Sequence, residues 1–157
     1  MSKLKSIEEL ERIRYSAARL GKKIVFTNGC FDILHVGHLR SLTGAKSLGD
    51  YLVVAINSDN SLKNLKKINE SVTSETERAE ILSALSCVDY VVIFDSPTAD
   101  EVITKLKPDI CAKGTDYTED SVPERKTILA NGGKIAITGD PKAHATRDII
   151  AKIKNRL

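Results

Sequence analysis

Two histidines three positions apart, His35 and His38, are the residues of this sequence best suited to chemistry. They stand at the start of a helical pattern, so both imidazoles are expected to project from one face. A helix start offers unpaired backbone N–H groups and the positive end of the helix dipole, which suit a phosphate. Two imidazoles there could donate hydrogen bonds to the oxygens of a phosphate under attack. The pair therefore favours transfer of a nucleotidyl group to an acceptor phosphate, which needs no protein nucleophile.

The residues around the pair support this interpretation. Gly29 follows an apolar run, where the missing side chain lets the backbone approach a ligand. Gly37 costs ~1 kcal/mol of helix propensity relative to Ala, and close approach of a phosphate is a reason for that cost. Asp32 could contact a ligand or only cap the helix. A His-x-x-His pair alone is also typical of structural or solvent-facing histidines. Without a third ligand nearby it is a weak zinc site, and we predict no protein-held metal.

The elements that must position these residues alternate along the chain. Strands are predicted at residues 23–27, 51–56, 90–94, 109–112 and 134–138, and helices at 36–48, 61–65, 75–85, 99–106, 122–130 and 146–153. Capping boxes at Ser6, Ser74 and Thr98 mark three helix starts. The strands are apolar without alternation, as expected when helices cover both faces of a sheet. The pattern predicts an α/β fold, a Rossmann-like open parallel five-stranded sheet with helices on both faces plus an N-terminal helix. Ligands of such folds bind beyond the carboxyl ends of the strands.

Composition narrows the class of protein. The 157 residues predict a single domain overall, with an N-terminal helical extension at 1–22 and the nucleotidyltransferase domain at 23–157. The net charge of +3 is too small to indicate nucleic acid, and no stretch is long and apolar enough for a membrane. Three cysteines without CxxC spacing indicate reduced thiols, so a cytoplasmic location is expected.

The string from residue 24 to residue 38 resembles the signature of the cytidylyltransferase-like nucleotidyltransferases. That signature is a glycine turn, Phe-Asp and then HxGH, here Asn28-Gly29-Cys30-Phe31-Asp32 and His35-Val36-Gly37-His38. The resemblance covers nearly the whole chain and looks closest to the bacterial heptose-1-phosphate adenylyltransferases. It implies transfer of AMP from ATP to D-glycero-D-manno-heptose 1-phosphate, with Mg²⁺ accompanying the triphosphate, and it suggests a homodimer.

The resemblance also implies roles for individual residues. His35 and His38 would stabilise the transition state at the α-phosphate. Lys46 and Arg78 would neutralise phosphate charge, although Lys46 could be a solvated helix-end lysine. Arg78 could instead form a surface ion pair with Glu75 or Glu77. The remaining residues would line the pocket for the nucleotide and the acceptor, and they are Thr27, Asn28, Gly29, Cys30, Phe31, Asp32, Gly37, Lys113, Gly114, Asp116, Thr146 and Arg147.

Two departures leave the acceptor open. Family members commonly carry Ser-Thr-Thr before the last helix, whereas this chain has Ala145-Thr146-Arg147, and Glu70-Ser71 stands where Arg-Pro is frequent. The alternative within the class is a cytidylyltransferase acting on glycerol phosphate or another small phosphorylated alcohol or sugar. A relative of class I aminoacyl-tRNA synthetases would need a KMSKS-type loop, which the lysines near residue 65 do not form. A nucleotide sensor without chemistry would have little use for both histidines.

Overall fold

Five parallel strands form a central sheet in the order β3-β2-β1-β4-β5. The structure is a computed structural model and describes residues 2–65, 71–141 and 144–157. The strands are β1 (Ile24–Gly29), β2 (Tyr51–Asn57), β3 (Tyr90–Phe94), β4 (Ile110–Gly114) and β5 (Lys134–Thr138). The helices are α1 (Ile7–Arg19), α2 (Val36–Lys46), α3 (Asp59–Asn64), α4 (Glu75–Ala84), α5 (Asp100–Leu106), α6 (Arg125–Ala130) and α7 (Thr146–Lys154). The predicted parallel five-stranded sheet is confirmed.

Two hydrophobic clusters cover the two faces of the sheet. On one face, Leu10 of α1, Val102 of α5 and Ile128 of α6 pack against the strands. On the other face, Leu42 of α2 and Leu82 of α4 do the same. Successive strand residues point to opposite faces, so each strand contributes to both clusters, which explains its unbroken apolar sequence. Within the described ranges, no helix combines the length and the apolar character needed to cross a membrane.

The N-terminal segment packs directly on the sheet. Leu4 pairs with Val91 in a parallel bridge beside β3, and Leu10 is fully buried. Arg14 donates two hydrogen bonds to the carboxylate of Asp109 at 2.7 and 3.2 Å. The helix α1 therefore contributes to the same core as the strands, and the boundaries proposed at residues 22 and 23 stay a prediction.

Helix starts follow the predicted caps at two of three positions. The boxes at Ser6 and Ser74 are confirmed. Each serine side chain accepts the backbone N–H of the third helical residue, a glutamate, whose side chain accepts the backbone N–H of the serine. The box predicted at Thr98 is wrong. Helix α5 begins after Ala99 without a side-chain cap, and the Thr98 hydroxyl donates to Asp100 instead.

The order of the strands reverses between β1 and β4, and the sheet loosens there. β1 and β2 share six paired positions, whereas β1 and β4 share two, Val25 with Ile110 and Phe26 with Cys111. The helix after β1 covers one face, whereas the helix after β4 covers the other. A crevice therefore opens beyond the carboxyl ends of these two strands, where ligands of doubly wound folds bind.

Gly49 provides a test of the packing at the opposite, amino-end edge of the sheet. A Cβ atom there would lie 2.7 Å from Cγ2 of the buried Val25 and 3.0 Å from the carbonyl oxygen of Lys23. Because neither neighbour is the end of a flexible side chain, we expect Gly49→Ala to lower the free energy of unfolding by about 1–3 kcal/mol. Urea denaturation measures the change. Gly114→Ala is the control, since its Cβ meets open space, and equal stability of Gly49→Ala and the wild type would contradict the packing described.

Candidate active site

A cleft of about 710 Å³ lies at the carboxyl ends of the strands, above the crevice between β1 and β4. Most of the residues predicted for the site line it, namely Thr27, Asn28, Gly29, Cys30, Phe31, His35, Gly37, His38, Lys113, Gly114, Asp116, Thr146 and Arg147. The structure thus brings together segments separated by more than a hundred positions. Asp32, Lys46 and Arg78 are not among the lining residues.

Two helix N-termini converge on this cleft. His35, Gly37 and His38 line it from the first turn of α2, and Thr146 and Arg147 from the first turn of α7. Each first turn offers backbone N–H groups and the positive end of a helix dipole, and both features favour bound phosphate. The first turns of both helices therefore favour binding of a polyanion in the cleft.

The histidine pair forms a capping box at the start of α2, and this fixes the tautomer of both rings. The backbone N–H of Gly37 donates to Nδ1 of His35 at 3.2 Å, and the backbone N–H of His35 donates to Nδ1 of His38 at 3.4 Å. A backbone N–H can only donate, so each Nδ1 must be an unprotonated acceptor. In a neutral imidazole the proton then sits on Nε2. Both rings are left with one Nε2–H donor that their backbone contacts do not use.

The electrostatics of the site keep both rings neutral. Burial lowers the pKa of His38 from its ordinary value of 6.5 to about 4, and the neighbouring His35 acts in the same direction. Burial also lowers the pKa of His35, and the nearby His144 acts in the same sense. The two rings stack with their centroids 3.9 Å apart, where two imidazolium charges would repel. The pair is therefore suited to hydrogen-bond donation rather than to holding positive charge.

The lowered pKa of His38 predicts a specific loss of stability in acid. The unfolded chain takes up a proton near pH 6.5, whereas folded His38 does so only near pH 4. Between these values the unfolded state binds more protons, so the free energy of unfolding falls as the pH drops through this window. Urea denaturation at pH 7 and pH 5 should therefore show a larger loss for the wild type than for His38→Gln. Equal losses would contradict this assignment.

The ring of Phe31 packs against the ring of His38. The backbone of Phe31 is left-handed, with φ of 52°, a conformation that costs energy for a bulky residue and is concentrated at functional sites. The ring meets His38 edge-on with centroids 5.3 Å apart, and it lies over Gly29, where a Cβ would be 3.1 Å from the ring. The glycine turn therefore makes room for the aromatic ring that positions His38.

Gly37 is needed by the ring of His35. A Cβ at position 37 would lie 3.0 Å from both Cε1 and Nδ1 of that ring. The packing of this ring is thus a reason for glycine at position 37 that the sequence did not indicate. We expect Gly37→Ala to lower kcat by ~10-fold or more, because displacing a group that binds the transition state has effects of this order. Stability should stay level or rise, since alanine adds up to ~1 kcal/mol of helix propensity.

Gly44 provides the matched control on the same helix. Its Cβ would meet Thr138 at 3.4 Å, an ordinary contact far from the rings of the histidine pair. Gly44→Ala should therefore share the gain in helix propensity while keeping kcat. Steady-state kinetics and thermal melts of both variants separate the two effects. The interpretation fails if both variants lose activity equally or if neither does.

Lys46 lies at the wrong end of α2 for the role predicted from the sequence. Its ammonium group donates to a carboxylate oxygen of Asp89 at 2.6 Å and to the backbone carbonyl of Asp50. Both partners directly precede strands, so they mark the amino-end edge of the sheet, opposite the cleft. The catalytic role predicted for Lys46 is therefore wrong, and the residue instead holds the C-terminus of α2 to the sheet.

Arg78 is buried rather than exposed to a phosphate. Its side chain is 0% exposed, and its guanidinium donates to the carbonyl oxygens of Cys30 at 2.7 Å and Asn57 at 2.8 Å. It also pairs with Asp59 at 2.8 Å, so the surface ion pair with Glu75 or Glu77 is wrong as well. Arg78 therefore joins the loop that precedes the histidines to the end of β2, beneath the cleft.

Asp32 connects the same loop to the start of α4. Its carboxylate accepts backbone N–H groups of Val72 at 3.0 Å and Thr73 at 2.9 Å, and it also accepts the Thr73 hydroxyl. It does not cap α2, whose N-cap is His35. Glu70, one of the two departures noted in the sequence, lies outside the described residues.

The sequence did not predict every residue of the cleft. Glu124 and Tyr117 line it beside β4, and His144 lines it beside α7. No sequence pattern around Glu124 indicates a role in the cleft, because its side-chain partners Asn28 and Lys113 lie in two other segments. Lys113 is consequently paired with a buried carboxylate and is not a free cation for a phosphate.

Comparisons with known proteins agree with this geometry. The family model described as cytidylyltransferase-like matches residues 26–152. The bifunctional protein HldE of Campylobacter concisus is 56% identical over 153 residues, which cover 98% of this chain and 31% of that protein. The corresponding protein of Syntrophotalea carbinolica is 45% identical over 155 residues, covering 99% of this chain and 32% of that protein. The chain thus spans about a third of the length of these curated relatives.

Solved structures show the same fold. A lipopolysaccharide core biosynthesis protein from Thermoplasma volcanium superposes with a TM-score of 0.67 and 31% identity, covering 78% of this chain and all of that one. A pantoate-beta-alanine ligase from Francisella tularensis has a TM-score of 0.63 at 16% identity, over 99% of this chain and 77% of the other, a likeness of fold alone. The signature, the cleft that it lines and the match over residues 26–152 lead to one assignment, that this chain belongs to the cytidylyltransferase-like family.

Proposed function

We propose that this chain transfers AMP from ATP to a sugar phosphate, D-glycero-D-manno-heptose 1-phosphate, and releases pyrophosphate. The observation that carries the proposal is the pair of neutral imidazoles, His35 and His38, whose Nδ1 atoms are held by backbone N–H groups at the wall of the cleft. Nothing in this arrangement acts as a nucleophile. It suits a reaction in which one phosphate displaces another.

The chemistry requires only positioning and charge stabilisation. An anionic oxygen of the acceptor phosphate attacks the α-phosphorus in line, and the bond from that phosphorus to the bridging oxygen breaks. The electron pair leaves with pyrophosphate, so no proton needs to be removed from the acceptor. Negative charge grows on the oxygens of the α-phosphate, and the Nε2–H groups of His35 and His38 would stabilise it. Thr146 and Arg147 line the cleft at the start of α7, and we propose that they contact the remaining phosphates.

Magnesium is proposed to enter with the triphosphate. Among the described residues, no group of three His, Cys, Asp or Glu side chains could form a cage for a metal ion. Mg²⁺ generally retains several waters and binds through substrate phosphates, so such a cage is not required. When bound, the ion supplies neutralisation of phosphate charge.

The choice of a heptose phosphate is supported by the resemblance of the signature to heptose-1-phosphate adenylyltransferases. The Thermoplasma relative is described as a lipopolysaccharide core biosynthesis protein, which fits a sugar acceptor. Since the proposed substrates are cellular metabolites, we propose a cytoplasmic location. We also propose a homodimer, and light scattering during size exclusion tests it, a monomer mass being the contrary result.

One substrate panel tests the function. Release of pyrophosphate is measured for ATP, CTP, GTP and UTP, each with heptose 1-phosphate, glucose 1-phosphate and glycerol 3-phosphate, and products are weighed by mass spectrometry. We expect ADP-heptose from ATP and heptose 1-phosphate as the preferred product. CDP-glycerol as the preferred product would replace the proposal with the alternative of a glycerol phosphate cytidylyltransferase. Absence of turnover in every combination would reject nucleotidyl transfer to these acceptors.

A further inference from the structure

Three side chains form a closed hydrogen-bonded cluster on the floor of the cleft, and we call it the Asn28–Lys113–Glu124 trio. The ammonium of Lys113 donates to Oδ1 of Asn28 at 2.6 Å and to Oε2 of Glu124 at 2.9 Å. The amide of Asn28 donates to Oε1 of Glu124 at 3.1 Å. Each residue comes from a different element, the ends of β1 and β4 and the start of α6. The trio therefore bridges the two strands where their own pairing has stopped.

Lys113 and Glu124 are buried, Asn28 is half-buried, and the trio has no net charge. The side chains of Lys113 and Glu124 are 5% and 4% exposed, and one positive charge faces one negative charge. A buried ion pair adds little stability compared with apolar residues of similar volume, so stability alone gives little reason for it. It also exerts little net attraction on a phosphate. The floor of the cleft is thus electrically neutral, whereas the helix N-termini that line its wall present the positive ends of helix dipoles.

Glu124 does not serve its own helix. It occupies the N-cap position of α6, yet its side chain makes no capping hydrogen bond. Both carboxylate oxygens turn instead toward Lys113 and Asn28. The position of Glu124 is therefore explained by the hydrogen bonds that it accepts from Lys113 and Asn28.

The trio holds hydrogen-bond donors at the cleft in fixed directions. Lys113 has three N–H donors, of which the trio uses two, and the Asn28 amide has two, of which it uses one. Within the described part of the chain, one donor on each residue has no hydrogen-bond acceptor, and the ammonium lies 5.6 Å from the centroid of the Tyr117 ring. Both residues line the cleft. Fixed donors on a neutral surface suit uncharged acceptors such as hydroxyl oxygens.

We propose that Glu124 is a positioning residue that fixes Asn28 and Lys113 as donors to the hydroxyl groups of a substrate sugar. The inference rests on the proposed function, which supplies two such sugars, the ribose of the nucleotide and the ring of the acceptor. Glu124 itself is placed to act through its neighbours, not on the reacting phosphorus.

Glu124→Gln tests the cluster with almost no change of shape. A glutamine amide has one acceptor and one donor end, whereas Glu124 accepts from both neighbours. Whichever way the introduced amide and the amide of Asn28 turn, two donors face each other at one side of the cluster. We expect KM to rise ~10-fold or more for the substrate whose hydroxyls are bound, with a smaller change in kcat, since a lost hydrogen bond has an effect of this order.

A double variant separates binding from folding. Lys113→Met with Glu124→Met replaces the ion pair with apolar side chains of similar length, a change that buried pairs often tolerate. We expect thermal stability near that of the wild type together with the raised KM. If the ion pair were purely structural, the double variant would show a normal KM as well as normal stability. Arg14→Met is the control, because it breaks the ion pair with Asp109 far from the cleft, and it should leave KM unchanged.

The readouts identify the sugar and keep the two proposals apart. KM is measured for ATP and for heptose 1-phosphate, and calorimetry measures binding of ATP and 2′,3′-dideoxy-ATP without turnover. A weaker hold on ATP that is absent with the dideoxy nucleotide assigns the ribose, and a raised KM for heptose 1-phosphate alone assigns the acceptor. Unchanged KM and unchanged ATP affinity in a folded double variant would overturn the inference. Failure of the proposed function is seen separately, as absence of turnover in the wild type.

Discussion

Replacement of His38 with alanine is expected to lower kcat by ~10²-fold or more, because loss of one donor to a developing oxyanion has an effect of this size. The expected change in KM for ATP is smaller, since the hydrogen bond strengthens as charge grows on the α-phosphate. The same is expected for His35→Ala, whose ring presents the equivalent Nε2–H. Steady-state kinetics with both substrates measure these changes.

Amide substitutions sharpen this prediction. The amide nitrogen of glutamine reaches about as far as Nε2 of histidine, whereas that of asparagine reaches only to the place of Nδ1. Since Nε2–H is the donor that the capping contacts leave to the cleft, His38→Gln should retain more activity than His38→Asn. Asparagine better than glutamine would indicate that Nδ1 carries the catalytic proton. Equal kcat in the wild type and both alanine variants would remove the histidines from the mechanism.

Substitution of Arg78 with methionine is expected to affect both folding and turnover. The fully buried guanidinium satisfies two backbone carbonyls, those of Cys30 and Asn57, and balances Asp59. Removing one partner of a buried charged network typically costs about 3–5 kcal/mol, and here part of that cost falls on the loop that carries the histidines. We expect a fall in the free energy of unfolding of this order, with kcat reduced even at temperatures where the variant is folded.

Arg125→Met is the control for Arg78. Arg125 lies 3.5 Å from Asp120, but its side chain is 43% exposed, and exposed pairs contribute at most ~1 kcal/mol. Chemical denaturation and kinetics of both variants give the comparison. If Arg78 instead bound a phosphate directly, Arg78→Met would keep its stability and show mainly a raised KM, which would contradict the buried role.

The fold was predictable because its pattern is local. A run such as residues 52–56, apolar at every position, can be satisfied only with helices on both faces, and the helical patterns between the runs provide them. The position of the histidines followed from the same logic, because the first helix after β1 must start at the carboxyl edge where ligands bind. The capping box at Thr98 was mispredicted because the Thr98 hydroxyl donates to Asp100 instead.

The predictions for the site were wrong where a residue's role depends on its burial or on contacts with residues distant in the sequence. Lys46 is eleven positions beyond the N-cap His35, so the helix carries it about 16 Å away, to the other edge of the sheet. Arg78 is a charged residue, and its type alone indicates an exposed position, yet it is fully buried beneath the cleft. Glu124 was missed because Asn28 lies 96 positions away in sequence, and no local pattern reports such a contact.

A crystal structure with a non-hydrolysable ATP analogue would test the central claim most directly. The quantity to measure is the distance from Nε2 of His35 and of His38 to the non-bridging oxygens of the α-phosphate. We predict hydrogen-bond distances of about 2.7–3.2 Å to these oxygens, with each Nδ1 still accepting its backbone N–H. An α-phosphate bound away from both rings, or rings turned so that Nε2 points into the protein, would contradict the account.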